Sequence, residues 1–358
     1  MILNLLKLLN PEQAHSLTIQ ALKIGISPNY KSKNLDNRLV SNVFGIEFPN
    51  PMGIAAGFDK SAEAFDSLGK LGPGFVEVGT LTLRPQPGND RPRVFRLKED
   101  QAIINRYGFN NHGLTIGIKR ITKRRASSGI IGVNIGINKN TTDPIGDYAK
   151  GLILALPIAD YITINISSPN TPGLRELQTS EKLEELLNVI KDTKQQKSKD
   201  VNTPPVLVKI APDLSELMIK EIVEIAVKTG ISGLIVSNTT TERPKSLKSK
   251  NKSETGGLSG PPVFALSTKK LAQTYLACNG RLPLIGVGGV NSAETAYAKI
   301  RAGANLVQLY TALTYNGPSL FHSINEGLSS LVKNDNFVNV QDAVGVDAKH
   351  WAAKIIPS

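Results

Sequence analysis

The chain has 358 residues and ordinary proportions of apolar, charged and Gly/Pro residues, which suits one large globular domain with an appendage. Its single cysteine, Cys278, excludes a disulfide framework within the chain and fits a reducing compartment. The formal net charge of +12 suits an anionic partner, but much of the excess lies in two short runs, 119–125 and 245–252. These read as solvated helix ends and loops. No nucleic-acid-binding signature accompanies them, and nucleic acid is not an expected partner.

In chain order, the first ten residues are largely apolar, with Leu5, Leu6, Leu8 and Leu9, and read as a first short helix. Pro11 then opens an amphipathic helix carrying Ala14, Leu17, Ala21, Leu22 and Ile24. Residues 25–28 close it and 31–37 read as a polar linker. No charged leader precedes a small-residue cleavage site, so no signal peptide is expected, and no apolar run approaches the ~20 residues that span a bilayer. Residues 1–40 thus form a hydrophobic appendage. It is either a cap packed on the main domain or a monotopic membrane contact.

From about residue 50, short apolar runs alternate with helical ones. Strands are expected at 52–56, 75–79, 130–135, 161–166, 206–210, 233–236, 284–287 and 306–310, each apolar enough to be buried on both faces. Helix-length segments such as 214–228 and 292–302 lie between most of them. Eight such units predict an α/β fold, a (β/α)₈ TIM barrel over 41–335, with a C-terminal tail over 336–358. A doubly wound open sheet would want G-x-G-x-x-G after its first strand, and none is present. Residues 81–112 suggest a hairpin insertion, and 238–262 a mobile loop above the barrel mouth.

The chemistry of this fold sits at the carboxyl ends of the strands. Here those ends read A-A-G-F-D-K, V-G-T, G-V-N-I-G, T-I-N-I-S-S-P-N, V-L-V-K, V-S-N-T-T, G-V-G-G-V and Q-L-Y-T. Their recurrent Asn, Lys, Ser, Thr and Gly point to one shared site. The backbone of 286–289, with Tyr310 and Thr311, is placed to cradle a phosphate, although glycines also serve tight turns. Lys209 ends a doubly buried strand, where an unpaired ammonium is very costly. It either faces an anion or polarised acceptor, such as the N1–C2=O edge of a flavin, or escapes to solvent. His15, His112, His322 and His350 lie away from the strand ends in sequence, and Cys278 belongs to the opposite face. Ser167 and Ser168, held between Asn165 and Pro169, remain: a structural turn, or a base for an already acidified proton.

Six collinear motifs go further: A-A-G-F-D-K (55–60), R-P-R-V-F-R-L (91–97), N-R-Y-G-F-N-N (105–111), N-I-S-S-P-N-T-P-G-L-R (165–175), G-G-L-S-G-P-P (256–262) and I-G-V-G-G-V (285–290). Together they resemble the class 2, quinone-dependent dihydroorotate dehydrogenases over nearly the whole chain. Ser168 stands where class 1 members have a cysteine base, and residues 1–30 resemble the class 2 helical extension. The resemblance implies FMN held by Ala56, Gly57, Lys60, Thr80, Asn134, Asn165, Lys209, Ser237, Gly260, Gly289, Tyr310 and Thr311. It implies dihydroorotate, the precursor of orotate, bound by Lys60, Asn105, Arg106, Tyr107, Gly108, Phe109, Asn165, Asn170, Asn238 and Thr239. Ser168 is then the base at C5, with hydride passing from C6 to the flavin. A membrane quinone would enter a tunnel lined by His15, Arg96 and Tyr310, with peripheral contact on the cytoplasmic side of the cell membrane. No metal is implied. Animal members place glutamine where this chain has Leu6, which bears on quinone preference. The rival functions are another FMN barrel acting on a different pyrimidine or hydroxy acid, and a non-catalytic barrel binding a phosphorylated ligand.

Overall fold

The structure, a computed structural model, describes residues 8–30, 36–124, 129–197 and 203–356. Leu6, most of the first predicted helix and Arg125 lie outside these residues. The eight expected strands are all present: β1 (Met52–Ile54), β2 (Phe75–Leu81), β3 (Ile130–Ile135), β4 (Tyr161–Asn165), β5 (Val206–Ile210), β6 (Gly233–Val236), β7 (Leu284–Val287) and β8 (Leu306–Leu309). They pair in parallel and in sequence order, and β8 closes on β1. The fold is a (β/α)₈ barrel.

Strand alternation sorts the side chains into two cores. Residues such as Ile54, Val76, Val133, Ile164, Val208 and Leu234 face outward into one continuous layer beneath the surrounding helices. The inward set forms a second cluster from Phe75, Tyr161, Leu207, Ile235, Ile285 and Leu306. Gly53 and Gly132 make room for its rings: a Cβ on Gly132 would lie 2.1 Å from Tyr161, and one on Gly53 2.3 Å from Phe75. Below, an antiparallel hairpin of Ser41–Val43 and Ile46–Phe48 lays Val43 and Phe48 against the same cluster. Its turn residues Phe44 and Gly45 both take positive φ, as a two-residue hairpin turn requires.

Higher up the same strands, the inward positions turn polar. The Glu77 carboxylate is fully buried inside the barrel, accepting hydrogen bonds from Asn134, Tyr161 and Gln308, each at 2.8 Å. Such complete pairing makes a buried carboxylate tolerable. Sequence reading missed it. Its signal was a glutamate in an otherwise apolar strand, at the same inward parity as Phe75.

Over the mouth lies helix α1 (Pro11–Lys23), started by the Asn10 side chain accepting from the Glu12 amide and by Pro11 in its first turn. It buries Ala14, Ile19 and Leu22, the latter two stabilising its docking by ~1.5–3 kcal/mol each. The predicted insertion hairpin is present, Val94–Leu97 pairing with Ala102–Asn105. The stretch 238–262 departs from expectation. It supplies a third strand, Gly257–Ser259, antiparallel to Ala102–Asn105. Arg106–Glu254, Arg243 to the carbonyls of Glu254 and Gly256, and Asp100 to the amides of Lys248 and Ser249 also fasten it. It is a structured flap, not a free loop, because its partners lie about 150 residues away in sequence. In the tail, the Ala348–Ala353 helix packs on α2 (Phe264–Cys278), with the Trp351 and Phe264 rings 5.7 Å apart.

Of the basic runs, Arg120 binds the Ser61 carbonyl and Glu63, and Arg124 forms a two-pronged pair with Asp160. No described helix is long and apolar enough to cross a membrane.

Candidate functional site

A single cavity of about 980 Å³ runs from the tips of the strands to the underside of α1. Its polar end is lined by Ala56, Gly57, Lys60, Thr80, Asn105, Tyr107, Gly108, Phe109, Asn165, Ser168, Asn170, Lys209, Ser237, Asn238, Thr239, Gly260, Gly289, Tyr310 and Thr311. His15 and Arg96 line its outer end with Ala14, Leu17, Ala21, Leu22 and Ile26. The structure therefore gathers nearly every expected site residue around one space. Two do not reach it. Asn134 is fully buried one bond behind the wall, accepting from Thr80 Oγ1 at 2.6 Å. The Arg106 side chain turns outward to Glu254 and lies over the Phe95 ring at 4.5 Å, because its neighbours Asn105 and Gly108 shape the turn that faces the cavity.

The floor is a chain of fixed amides and hydroxyls. Asn134 donates to Glu77, Thr80 donates to Asn134, and Asn165 donates to Thr80 at 3.0 Å. Asn165 Oδ1 in turn accepts from the Ser167 hydroxyl at 3.0 Å, while Asn238 Nδ2 donates to Ser167 at 3.0 Å. Ser167 is thus committed to holding the floor. Ser168 differs. Its oxygen accepts only from the Asn170 amide, at 3.2 Å, and among the described residues its hydroxyl proton has no acceptor. Among the described residues no histidine or carboxylate hydrogen-bonds to it.

Lys209 projects inward from β5 and is buried, with no hydrogen bond or ion pair among the described residues. Burial pulls its pKa below the ordinary lysine range, opposed by Glu77. Its ammonium borders the cavity beside Asn165, its register neighbour on β4. A buried cation in this state calls for a ligand with negative or strongly accepting character.

At the other side, Gly260 and Gly289 both take positive φ. A Cβ on Gly289 would lie 2.5–2.8 Å from Phe264, and one on Gly260 2.8 Å from the Gln101 carbonyl oxygen. Only glycine brings the backbone this close, and no hydrogen bond among the described residues uses the amides of Gly260 or Gly289. Bare amides beside Thr311 make a cradle for an anion.

Lys60 sits where the two ends of the cavity meet. Its Nζ donates to the Gly57 carbonyl at 2.7 Å, lies 3.1 Å from His15 Nε2 and stands 4.2 Å over the Tyr107 ring. Burial lowers its pKa to about 7, against the pull of Glu12 and Asp59 and with help from Arg93. His15, held well below its usual range by burial and by Lys60, stays neutral against Phe58 and Tyr310. The strand-end reading set His15 aside. Folding α1 over the mouth brings it in.

A closed (β/α)₈ barrel with a lysine-floored cavity and a glycine cradle after β7 belongs to the class of barrel oxidoreductases. The sequence model of the family described as dihydroorotate dehydrogenase matches residues 38–332. The chain is 49% identical over 348 residues to a dihydroorotate dehydrogenase (quinone) of Xanthobacter autotrophicus, covering 96% of this chain and 98% of that protein. It is 47% identical over 356 residues to the one from Bradyrhizobium diazoefficiens, covering 99% and 97%. The crystal structure of the Eimeria tenella enzyme (DHODH) in complex with ferulenol superposes with a TM-score of 0.90 at 41% identity, over 94% of this chain and 95% of that one. This chain belongs to the dihydroorotate dehydrogenase family, within its quinone-dependent branch. The family implies a flavin cofactor, and the unpaired Lys209 and glycine cradle fit one.

Proposed function

We propose that this protein oxidises dihydroorotate to orotate and passes the electrons through FMN to a membrane quinone. One observation carries the reading: a single cavity joins a polar, asparagine-rich strand-tip end to an apolar port beneath α1. A polar pyrimidine and a lipid-soluble acceptor need these two different surroundings around one shared redox group.

The residues present suit FMN. Gly260, Gly289 and Thr311 would hold its phosphate, and Thr80, Asn165, Ser237 and Lys209 its ring, with Ala56, Gly57 and Tyr310 as walls. When bound, FMN supplies the hydride acceptor and the relay of two electrons. Lys209 offers positive charge beside it. Asn105, Asn165, Asn170, Asn238 and Thr239 present both donors and acceptors to the imide edges of dihydroorotate, and Lys60 meets its carboxylate. Ser168, whose hydroxyl proton has no acceptor among the described residues, takes the C5 proton as its own hydroxyl proton passes to water. The adjacent carbonyl acidifies that proton, so a weak base suffices.

Leu8, Leu17, Ile24 and Ile26 are exposed apolar side chains on or beside α1, with 80%, 53%, 74% and 65% of their surface open. They support shallow, peripheral seating at a membrane surface, which would let a quinone reach the port without leaving the lipid. The test is anaerobic. Dihydroorotate should bleach the yellow holoenzyme, and a short-chain quinone should restore its colour. Removing residues 1–30 should spare bleaching and abolish recolouring. Equal loss of both, or a flavin that never bleaches, would overturn the reading.

A further inference from the structure

Behind the glycine cradle lies a second buried lysine that touches neither cavity nor solvent. Lys299, on α3 (Ala293–Arg301), is completely buried. Its Nζ donates to Ser267 Oγ at 2.7 Å and to the Val287 carbonyl at 3.4 Å, and stands 5.3 Å over the Phe264 ring. All three partners are neutral. Among the described residues no carboxylate comes within ion-pair distance, and burial alone drives its pKa well below the ordinary lysine range, with no neighbouring charge opposing.

Such an arrangement is costly where a methionine would fill the same space without penalty. The contacts of Lys299 show what could offset it. Val287 and Gly288 are the segment that leads into the cradle. Ser267, in the first turns of α2, passes the interaction on by donating to the Gly288 carbonyl at 3.1 Å. A Cβ on Gly288 would lie 2.7 Å from that same Ser267 oxygen, so cradle, Ser267 and Lys299 form a stack with no slack. The cavity faces the opposite side of Gly288 and Gly289.

We infer that Lys299 is a positioning residue for the phosphate end of the cofactor: a phosphate dianion bound across the Val287–Gly289 backbone holds its amine protonated, and the resulting ammonium serves as that phosphate's counter-charge. This rests on the reading that FMN occupies the cavity, and it adds a prediction that reading does not make. Part of the protein's choice of FMN over riboflavin, which shares the ring but lacks the phosphate, should then come from a residue that touches neither.

Full-length holoenzyme is equilibrated with excess riboflavin, freed of unbound flavin, and its retained FMN and riboflavin are separated and quantified. The Lys299→Met variant should lose its preference for FMN by about tenfold or more, since a unit charge is removed from a dianion across a dry backbone layer. Lys299→Gln keeps a donor to Ser267 and should lose preference by a similar factor, separating charge from fold if the methionine variant is insoluble. A purely structural lysine would lower retention of both flavins together and leave their ratio within about twofold of wild type, and that result overturns the inference. A wild-type protein that retains neither flavin overturns the FMN reading itself and the inference with it.

Discussion

The two ends of the cavity are built on opposite plans. At the strand tips the floor is tied together: Glu77, Asn134, Thr80, Asn165, Ser167 and Asn238 form one unbroken run of hydrogen bonds. At the α1 end the walls are Ala14, Leu17, Ala21, Leu22 and Ile26, surfaces that impose shape and little direction. The helix is strapped down chiefly by Arg93, which is buried and reaches Glu12 as well as the carbonyls of Pro87 and Asn89. The contrast suits a reaction with one demanding step and one undemanding one. Proton and hydride removal need atoms fixed to fractions of an ångström, whereas a flexible-tailed quinone needs an oily slot.

That contrast can be broken from either side. The largest effect is expected at the rigid end: Ser168→Ala should keep the flavin but slow anaerobic bleaching by ~10²-fold or more. Stopped-flow rates indistinguishable from wild type would remove Ser168 as the base. Next, Arg93→Met should lower unfolding stability by about 2 kcal/mol, less than a fully buried pair because Glu12 is partly exposed. Its quinone KM should rise several-fold while bleaching is little changed; the reverse pattern would mean that the strap serves the pyrimidine.

A pH series should sharpen the junction. Lys60 is charged below its pKa of about 7 and neutral above it, so the carboxylate of dihydroorotate loses its partner as pH rises. Its KM should climb roughly tenfold between about pH 6 and about pH 8. Lys60→Met should bind weakly throughout and flatten the climb, and a slope that persists in that variant would place the titration elsewhere. The smallest effect is expected outside the cavity. Leu8→Ser with Ile24→Ser should reduce cosedimentation with phospholipid vesicles several-fold without altering bleaching. Unchanged cosedimentation would move the membrane contact away from this face.

The barrel was legible because its strands are short, doubly buried and punctuated by polar tips, a pattern that local sequence carries. Lys209 and Ser168 stood out for the same reason, as polar residues where apolar ones were due. What local pattern could not convey was long-range company. Gly257–Ser259 looked like loop until paired with Ala102–Asn105, and His15 looked remote until α1 closed over the mouth. Nothing in the local pattern set Lys299 apart, yet it is wholly enclosed. The outward turn of Arg106 depends on Glu254, nearly 150 positions later. The motif 105–109 implied that all five residues meet the substrate, and its local pattern did not set Arg106 apart from the other four.

The small hairpin beneath the barrel, which seats Val43 and Phe48 under Phe75, has a consequence for traffic. Among the described residues this hairpin corks the base, and the cavity lies at the upper rim beneath α1. Donor and acceptor would then both be served from the upper side, at the polar and the apolar end of one cavity. A carrier shared by both ends can hold one electron pair at a time, so its filling and emptying would alternate.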